Sequence, residues 1–190
     1  MRYYRKLVGQ RLFLSPVNPE DAESYTAWIN DLETSLNLTF APKIVSERKE
    51  REILEHMSKE GVNFAIVELD SETLMGNCGL LNIDQVHRTA ELGIFLGEAE
   101  RRGRGYGREA IELLLDYSFN LLNLHSIMLR VRSYNPMGID CYRKIGFREI
   151  GRRRESVMVG GRYYDEIFMD ILAEEFEGQI PQLMANKELR

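Results

Sequence analysis

The residues best suited to chemistry lie in Arg101-Arg102-Gly103-Arg104-Gly105-Tyr106-Gly107-Arg108, three alternating glycines among four arginines. Without β-carbons, the glycines let a ligand come close to the backbone. Successive backbone N–H groups can then point at one oxyanion, helped by the N-terminal dipole of a following helix. A phosphorylated ligand suits such a turn. A second cluster runs from Asn135 through Gly138 to Tyr142. These three positions lie roughly on one helical face, with a glycine one turn before Tyr142 clearing space beside its hydroxyl. The third candidate is Glu91, at the start of Glu91-Leu92-Gly93-Ile94-Phe95-Leu96. In a strand, Leu92, Ile94 and Leu96 share one face and Glu91, Gly93 and Phe95 the other. The Glu91 carboxylate then faces either a groove or solvent, and both readings stay open. His56, His87 and His125 are scattered and read as structural or surface residues.

The glycine loop is neither common nucleotide signature. A dinucleotide fingerprint needs a third glycine where Arg108 stands, and a P-loop needs Gly-Lys-Ser/Thr. What remains is Arg/Gln-x-x-Gly-x-Gly, satisfied by Arg102, Gly105 and Gly107. The alternative is a flexible basic turn, weighed down by the strand before the loop and the helix after it.

Elements must hold these residues in place. Arg11 to Val17 alternates as a first strand. Asn18-Pro19-Glu20-Asp21 starts a helix whose apolar face is Ala22, Tyr25, Trp28 and Ile29. Leu32 to Val45, with Leu36, Leu38, Phe40 and Pro42, has no period and reads as a semi-ordered connection, either lining a substrate groove or packing ordinarily. Ser46 caps a second helix through Lys59, with Ile53, Leu54 and Met57 inward. Val62–Leu69, Leu74–Ile83 and the strand ending at Leu96 form a meander, with Gly76 and Gly79 marking a bulge or close approach. The helix from Glu109 to Leu122 is apolar nearly all round, with a narrow polar stripe of Glu109, Glu112, Asp116 and Asn120. It reads as central and buried, able to hold the glycine loop rigidly. Ser126–Arg132 is a strand with Ile127, Leu129 and Val131 on one side. Asn135 caps a short helix that Gly146 ends in the left-handed conformation. Arg148–Arg154 and Tyr163–Leu172 are strands joined through Gly160-Gly161, and the polar tail 173–190 reads as a frayed helix. The order gives an α/β (α+β) sheet with helices on both faces.

Composition narrows the class. At 190 residues the chain has room for one well-buried domain, 1–190, and is short for two. Hydrophobic and charged fractions of 44% and 29% are those of a soluble globular protein. No apolar run approaches a membrane span, and the N-terminus lacks a signal-peptide core. Cys78 and Cys141 have no metal-ligand spacing, so no metal is expected, and reduced thiols in a cytoplasm are the simple reading. The net charge of −5 conceals a balance of +7 over residues 101–154. A basic segment in an acidic chain suits a polyanionic ligand at one place and a cationic substrate elsewhere. Nucleic acid is disfavoured, since the arginines lack interleaved aromatic platforms.

Two motifs together resemble the GNAT superfamily of N-acetyltransferases. One is Arg102-x-x-Gly105-x-Gly107. The other is Asn135-x-x-Gly138-x-x-x-Tyr142-x-Lys144-x-Gly146-Phe147, with Gly138 where the family usually has Ala or Ser. Gly9-Gln10-Arg11-Leu12 to Trp28, His87 to Gly93, and Tyr163 to Met169 are similar to the ribosomal-protein N-terminal acetyltransferase and spermidine acetyltransferase branch. The resemblance implies a mixed, mostly antiparallel central sheet and direct acetyl transfer from acetyl-CoA to a primary amine, on a small molecule such as a polyamine or on a protein N-terminus. It implies that Arg101 to Arg108 hold the pyrophosphate and that pantetheine pairs like a strand near Phe95 and Leu96. Asn135 would orient the pantetheine or a water, or serve only as a cap, and Gly138 clears space for the ligand. Tyr142 is the candidate general acid for the leaving thiolate, since a phenol of pKa ~10 can protonate a thiol-like anion of pKa ~8.5. Glu91 is the candidate base, through water. Cys141 is turned away and is no nucleophile. A non-catalytic acyl-CoA sensor on the same fold and a phosphate-binding regulatory module are the rivals. Strand edges near 148–172 could pair two copies as a homodimer.

Overall fold

The computed structural model describes residues 2–38 and 43–188. Phe40 and Pro42 of the expected connection lie outside them. Among the described residues there are eight strands: β1 (Leu7–Val8), β2 (Leu12–Pro16), β3 (Val62–Glu68), β4 (Leu74–Asp84), β5 (Thr89–Leu96), β6 (Ser126–Arg132), β7 (Arg148–Val159) and β8 (Arg162–Leu172). They form one sheet in the order β1-β2-β3-β4-β5-β6-β8-β7. The helices are α1 (Ala22–Asn30), α2 (Leu32–Ser35), α3 (Glu47–Lys59), α4 (Tyr106–Asn120), α5 (Pro136–Ile145) and α6 (Ile180–Glu188). The pairs β1–β2, β2–β3, β3–β4, β6–β8 and β7–β8 are antiparallel. β5 and β6 run parallel, with Glu91 opposite Met128, and α4 lies between them in the chain as a parallel crossover requires. The expected mixed, mostly antiparallel architecture is therefore present.

The chain forms two compact units. One runs through Leu81 and adds Gly93–Ile111; the other joins Asn82–Leu92 to the residues from Glu112 onward. In the first, Tyr3, Phe13, Val17, Ala22, Tyr25, Leu54, Ala65, Val67 and Leu74 make the core. Local signals account for its helices. The Asn18 side chain accepts from Glu20 N before α1, and Ser46 Oγ accepts from Lys49 N at the start of α3. The two strand glycines are required by close approach. A β-carbon on Gly76 would lie 2.0 Å from Phe95 O, and one on Gly79 2.5 Å from Val62 O. The β3–β4 register shifts between Ile66 and Val67, which is the expected bulge.

α3 corrects the expected inward face. Leu54 is fully buried, but Ile53 is 37% exposed and the inward place is taken by Glu50, 3% exposed. Positions 50, 54 and 57 follow the helical repeat better than 53, 54 and 57. Glu50 Oε2 has no hydrogen-bond partner among the described residues. Burial alone pushes this carboxyl above its ordinary value. A carboxyl that holds its proton more tightly when folded makes stability fall as pH rises from the unfolded pKa, ~4.3, through the folded one. We therefore expect Glu50→Gln to be more stable than the parent at pH ~8 and nearly matched to it at pH ~4. Urea midpoints at the two pH values check this, and a constant gap between the two proteins would refute it.

In the second unit, Ile127, Leu129 and Val131 are buried on one side of β6, as are Ile167, Met169 and Ile171 on β8. Strict alternation puts each set on one face. β7 and β8 turn through Gly160 and Gly161 at φ +58° and +75°, values that favour glycine. The tail is partly helical, and α6 begins where Asp116 accepts from Gln179 N at 2.8 Å. Asp116 is 5% exposed, so this part of the α4 polar stripe serves as an internal cap. No helix among the described residues is long and apolar enough to cross a membrane.

Candidate active site

The glycine loop turns at Gly103 (φ +71°) and Gly105 (φ +88°), both left-handed, where a side chain costs ~1–2 kcal/mol. α4 begins at Tyr106, three residues earlier than expected, so Gly107 and Arg108 belong to its first turn. Helix starts leave backbone donors unpaired. The N–H groups of Gly103 through Gly107 lie in this turn and in the first turn of α4, before the regular intrahelical ladder begins. Backbone amides gathered at a helix N-terminus form an anion cradle.

The four loop arginines divide the work. Arg101 Nη1 lies 2.7 Å from Glu68 Oε1 and its Nε 2.6 Å from Glu98. Arg102 reaches back to the Leu96 and Gly97 carbonyls and to Thr34 Oγ1. Both were expected at the pyrophosphate; in this structure their guanidiniums brace the loop. Arg104 is exposed and its side chain has no partner among the described residues. Together with Arg108, also exposed, it is placed to meet an incoming anion.

Three further residues hold the loop, and none of them was expected in that role. Glu68 accepts from Tyr106 Oη at 2.8 Å and from Ser71 Oγ at 2.5 Å. Hydrogen bonds from Ser71, Tyr106 and Arg101 hold its carboxyl down at about 2. Glu109 accepts from the backbone N–H of Gln10 and Arg11 at 2.7 and 2.8 Å. The Arg11 guanidinium bonds Glu109 at 3.0 Å and the Arg104 carbonyl at 2.8 Å, and lies 4.7 Å from the Tyr106 ring centre. A signal was available: Glu109 sits in the first turn of α4, where carboxylates are favoured.

Phe95 and Leu96 end β5. The Phe95 ring packs 6.3 Å from Tyr25 and 5.9 Å from Trp28, so a ligand would meet its backbone rather than its ring. The Leu96 carbonyl is already an acceptor for Arg102. Gly97 is required here, since a β-carbon would lie 2.0 Å from the Trp28 ring.

In the other unit, Asn135 Oδ1 accepts from Gly138 N at 3.0 Å, which is the expected cap. Its Nδ2 has no partner among the described residues. A β-carbon on Gly138 would stand 2.7 Å from that Nδ2, so the glycine lets the cap close. Gly146, at φ +118°, ends α5 and donates to the Tyr142 and Arg143 carbonyls. This termination fixes Tyr142 in the last turns, its ring edge-on to Phe147 at 6.0 Å. The Tyr142 hydroxyl has no partner among the described residues. Burial, with Cys141 adjacent, pushes the phenol well above its ordinary value. It therefore holds its proton at any working pH.

Glu91 is not a bare carboxylate. Its Oε1 accepts from Arg130 Nε at 2.6 Å and its Oε2 from Asn82 Nδ2 at 3.3 Å. Asn82 is left-handed at φ +50° within β4, backbone strain of the kind that collects at functional sites. Among the described residues, no cluster of three His, Cys, Asp or Glu could hold a metal ion.

Comparison with known proteins follows the same lines. The sequence profile of the acetyltransferase (GNAT) domain matches residues 11–148. Spermidine N(1)-acetyltransferase of Vibrio cholerae is 39% identical over 111 residues, 58% of this chain; the match spans 64% of that protein, under two thirds of its length. A putative ribosomal N-acetyltransferase of Bacillus subtilis is 27% identical over 180 residues, covering 90% of this chain and 97% of the relative. The crystal structure of the Vibrio cholerae spermidine N-acetyltransferase with CoA and spermine superposes with a TM-score of 0.79 at 30% identity, covering 88% of this chain and 98% of that one.

Proposed function

We propose, since the chain belongs to the GNAT acetyltransferase family, that its acceptor is a linear polyamine such as spermidine or spermine. The reaction class, acetyl transfer from acetyl-CoA to an amine, rests on that membership and on the N-acetyltransferase relatives. The identity of the amine is our reading, and one observation carries it. Residues 19–38 contain Glu20, Asp21, Glu23, Asp31 and Glu33 and no lysine or arginine. All but Asp21 are exposed. A chain of several ammonium groups is drawn to such a segment, while a peptide N-terminus offers a single charge.

The residues then take these roles. The amides of Gly103–Gly107, with Arg104 and Arg108, bind the pyrophosphate of acetyl-CoA. An alkyl amine is protonated at neutral pH and must lose a proton before it attacks. Glu91 receives that proton through water, its carboxylate oriented by Arg130 and Asn82. The free amine attacks the thioester carbonyl, the carbon–sulfur bond breaks, Tyr142 gives its phenolic proton to the departing thiolate, and the acetylated nitrogen sheds its surplus proton, which restores the phenol through water. Burial that makes the phenol a weaker acid also raises the proton affinity of a thiolate formed beside it. Asn135 Nδ2 is a spare donor for the pantetheine or a water. Cys78 and Cys141 form no disulfide among the described residues, which suits a reducing compartment, and we read the location as cytoplasmic.

A competition assay tests the acceptor. With spermidine and a peptide bearing a free N-terminus in one mixture with acetyl-CoA, we expect kcat/KM to favour spermidine by at least about tenfold, the factor that 1.4 kcal/mol of differential transition-state binding gives. Preferential acetylation of the peptide would overturn the polyamine reading.

A further inference from the structure

We infer that Arg102 is a positioning residue for the acceptor side of the site, acting through Thr34. Its place in the Arg-x-x-Gly-x-Gly motif would put its charge on phosphate, but its guanidinium turns the other way. Nη2 donates to Gly97 O at 2.8 Å, to Leu96 O at 3.1 Å and to Thr34 Oγ1 at 2.8 Å, while Nε donates to Leu96 O at 3.2 Å. Thr34 lies in α2 and is 5% exposed. Its hydroxyl donates to Asp31 Oδ2 at 2.6 Å and its backbone N–H donates to the same oxygen at 2.8 Å. These bonds from Thr34 hold the Asp31 carboxyl below its ordinary value, with the nearby Arg102 charge contributing less.

The result is a continuous chain of hydrogen bonds: the carbonyls ending β5, Arg102, the Thr34 hydroxyl, then the Asp31 cap of α2. Trp28 closes the same corner, its ring against Gly97. The acid-rich stretch around α1 and α2 is thus fastened to the residue just before the amides of the glycine loop. A four-residue helix has too few internal bonds to hold itself, so α2 keeps its place through this staple. Arg102 contributes to acceptor binding by holding α2, and its charge is committed to that bridge.

The inference rests on the reading that the acid-rich segment receives the acceptor. The experiment measures kcat and both KM values, for spermidine and for acetyl-CoA, in Thr34→Val, Thr34→Ser, Arg102→Lys and Arg104→Gln. Thr34→Val should raise KM for spermidine by about two- to tenfold, the worth of one or two hydrogen bonds, with KM for acetyl-CoA unchanged. Thr34→Ser keeps the hydroxyl and should restore the parent value. Arg102→Lys replaces the planar fork by a compact ammonium that cannot reproduce the paired Nε and Nη2 bonds to Leu96 O and should repeat the Thr34→Val pattern, which keeps the test alive if the valine variant fails to fold. Arg104→Gln should show the opposite split. An unchanged spermidine KM in both Thr34→Val and Arg102→Lys, or an Arg102→Lys effect confined to acetyl-CoA, would overturn the inference. A Glu23→Gln/Glu33→Gln double variant separates the underlying reading. If it leaves spermidine KM unaltered while Thr34→Val raises it, the staple stands and the charge argument for the acceptor falls.

Discussion

Replacing Tyr142 with phenylalanine is expected to lower kcat by about 10²–10⁴-fold, the usual worth of a general acid, with little change in affinity for acetyl-CoA. The ring is held edge-on to Phe147, and phenylalanine keeps that contact. The hydroxyl it removes bonds nothing among the described residues, so stability should hardly change and the loss can be read as chemistry. The structure also fixes what the pH profile should do. Because burial pushes the phenol well up, it stays protonated across the working range, and the basic limb of the rate profile should be the same in both proteins. A simple expectation from a phenol of ordinary pKa would have been a changed limb. Product release can mask a slowed chemical step, so a single-turnover measurement is the readout. A near-normal single-turnover rate would make Tyr142 a packing residue.

The second large effect concerns Gly105. At φ +88°, valine is strained whatever space surrounds it, and its β-carbon would also lie 3.1 Å from Arg11 Nη2. Relief of that strain re-aims the amides of Gly105 and Tyr106, two donors of the cradle. Hydrogen bonds to a charged group are each worth ~1.5–3 kcal/mol, so Gly105→Val should raise KM for acetyl-CoA by about 10- to 100-fold or more. KM for the amine should move by less than about twofold, because uniform loss of ground-state binding to one substrate leaves the other untouched. Equal rises in both would mean that the substitution had loosened the unit rather than the cradle. A melting curve in the presence of acetyl-CoA adds a second readout, since ligand at 100 times its dissociation constant stabilises by ~2.7 kcal/mol.

Much of the framework was legible in the sequence because its signals are local. Asn135 and Gly146 bracket α5, Ser46 starts α3, and the alternating Ile127, Leu129 and Val131 give the buried side of β6, all within a few residues of their cause. The start of α4 was less legible. Gly107 and Arg108 read as loop because glycine is a poor helix former, yet the first turn of a helix leaves amides unpaired anyway and tolerates it. The inward turn of Glu50 in place of Ile53 was hidden because a buried, unpartnered carboxylate runs against burial preference. Least legible were the roles of the arginines. Spacing shows where a guanidinium begins, but its long side chain reaches Glu68 or Thr34 according to the tertiary fold. The same holds for Arg11 and Glu109, 98 residues apart, and for the pairing of Glu91 with Arg130 and Asn82.

Acetyl transfer to a polyamine is tested most simply by mixing the protein with acetyl-CoA and spermidine and following both products. We expect free CoA and N-acetylspermidine in equal amounts, with no CoA released when the amine is left out. Tight binding of acetyl-CoA without acetylation of spermidine or of any other primary amine would contradict this, and would make the chain a sensor of the cofactor instead of an enzyme that uses it.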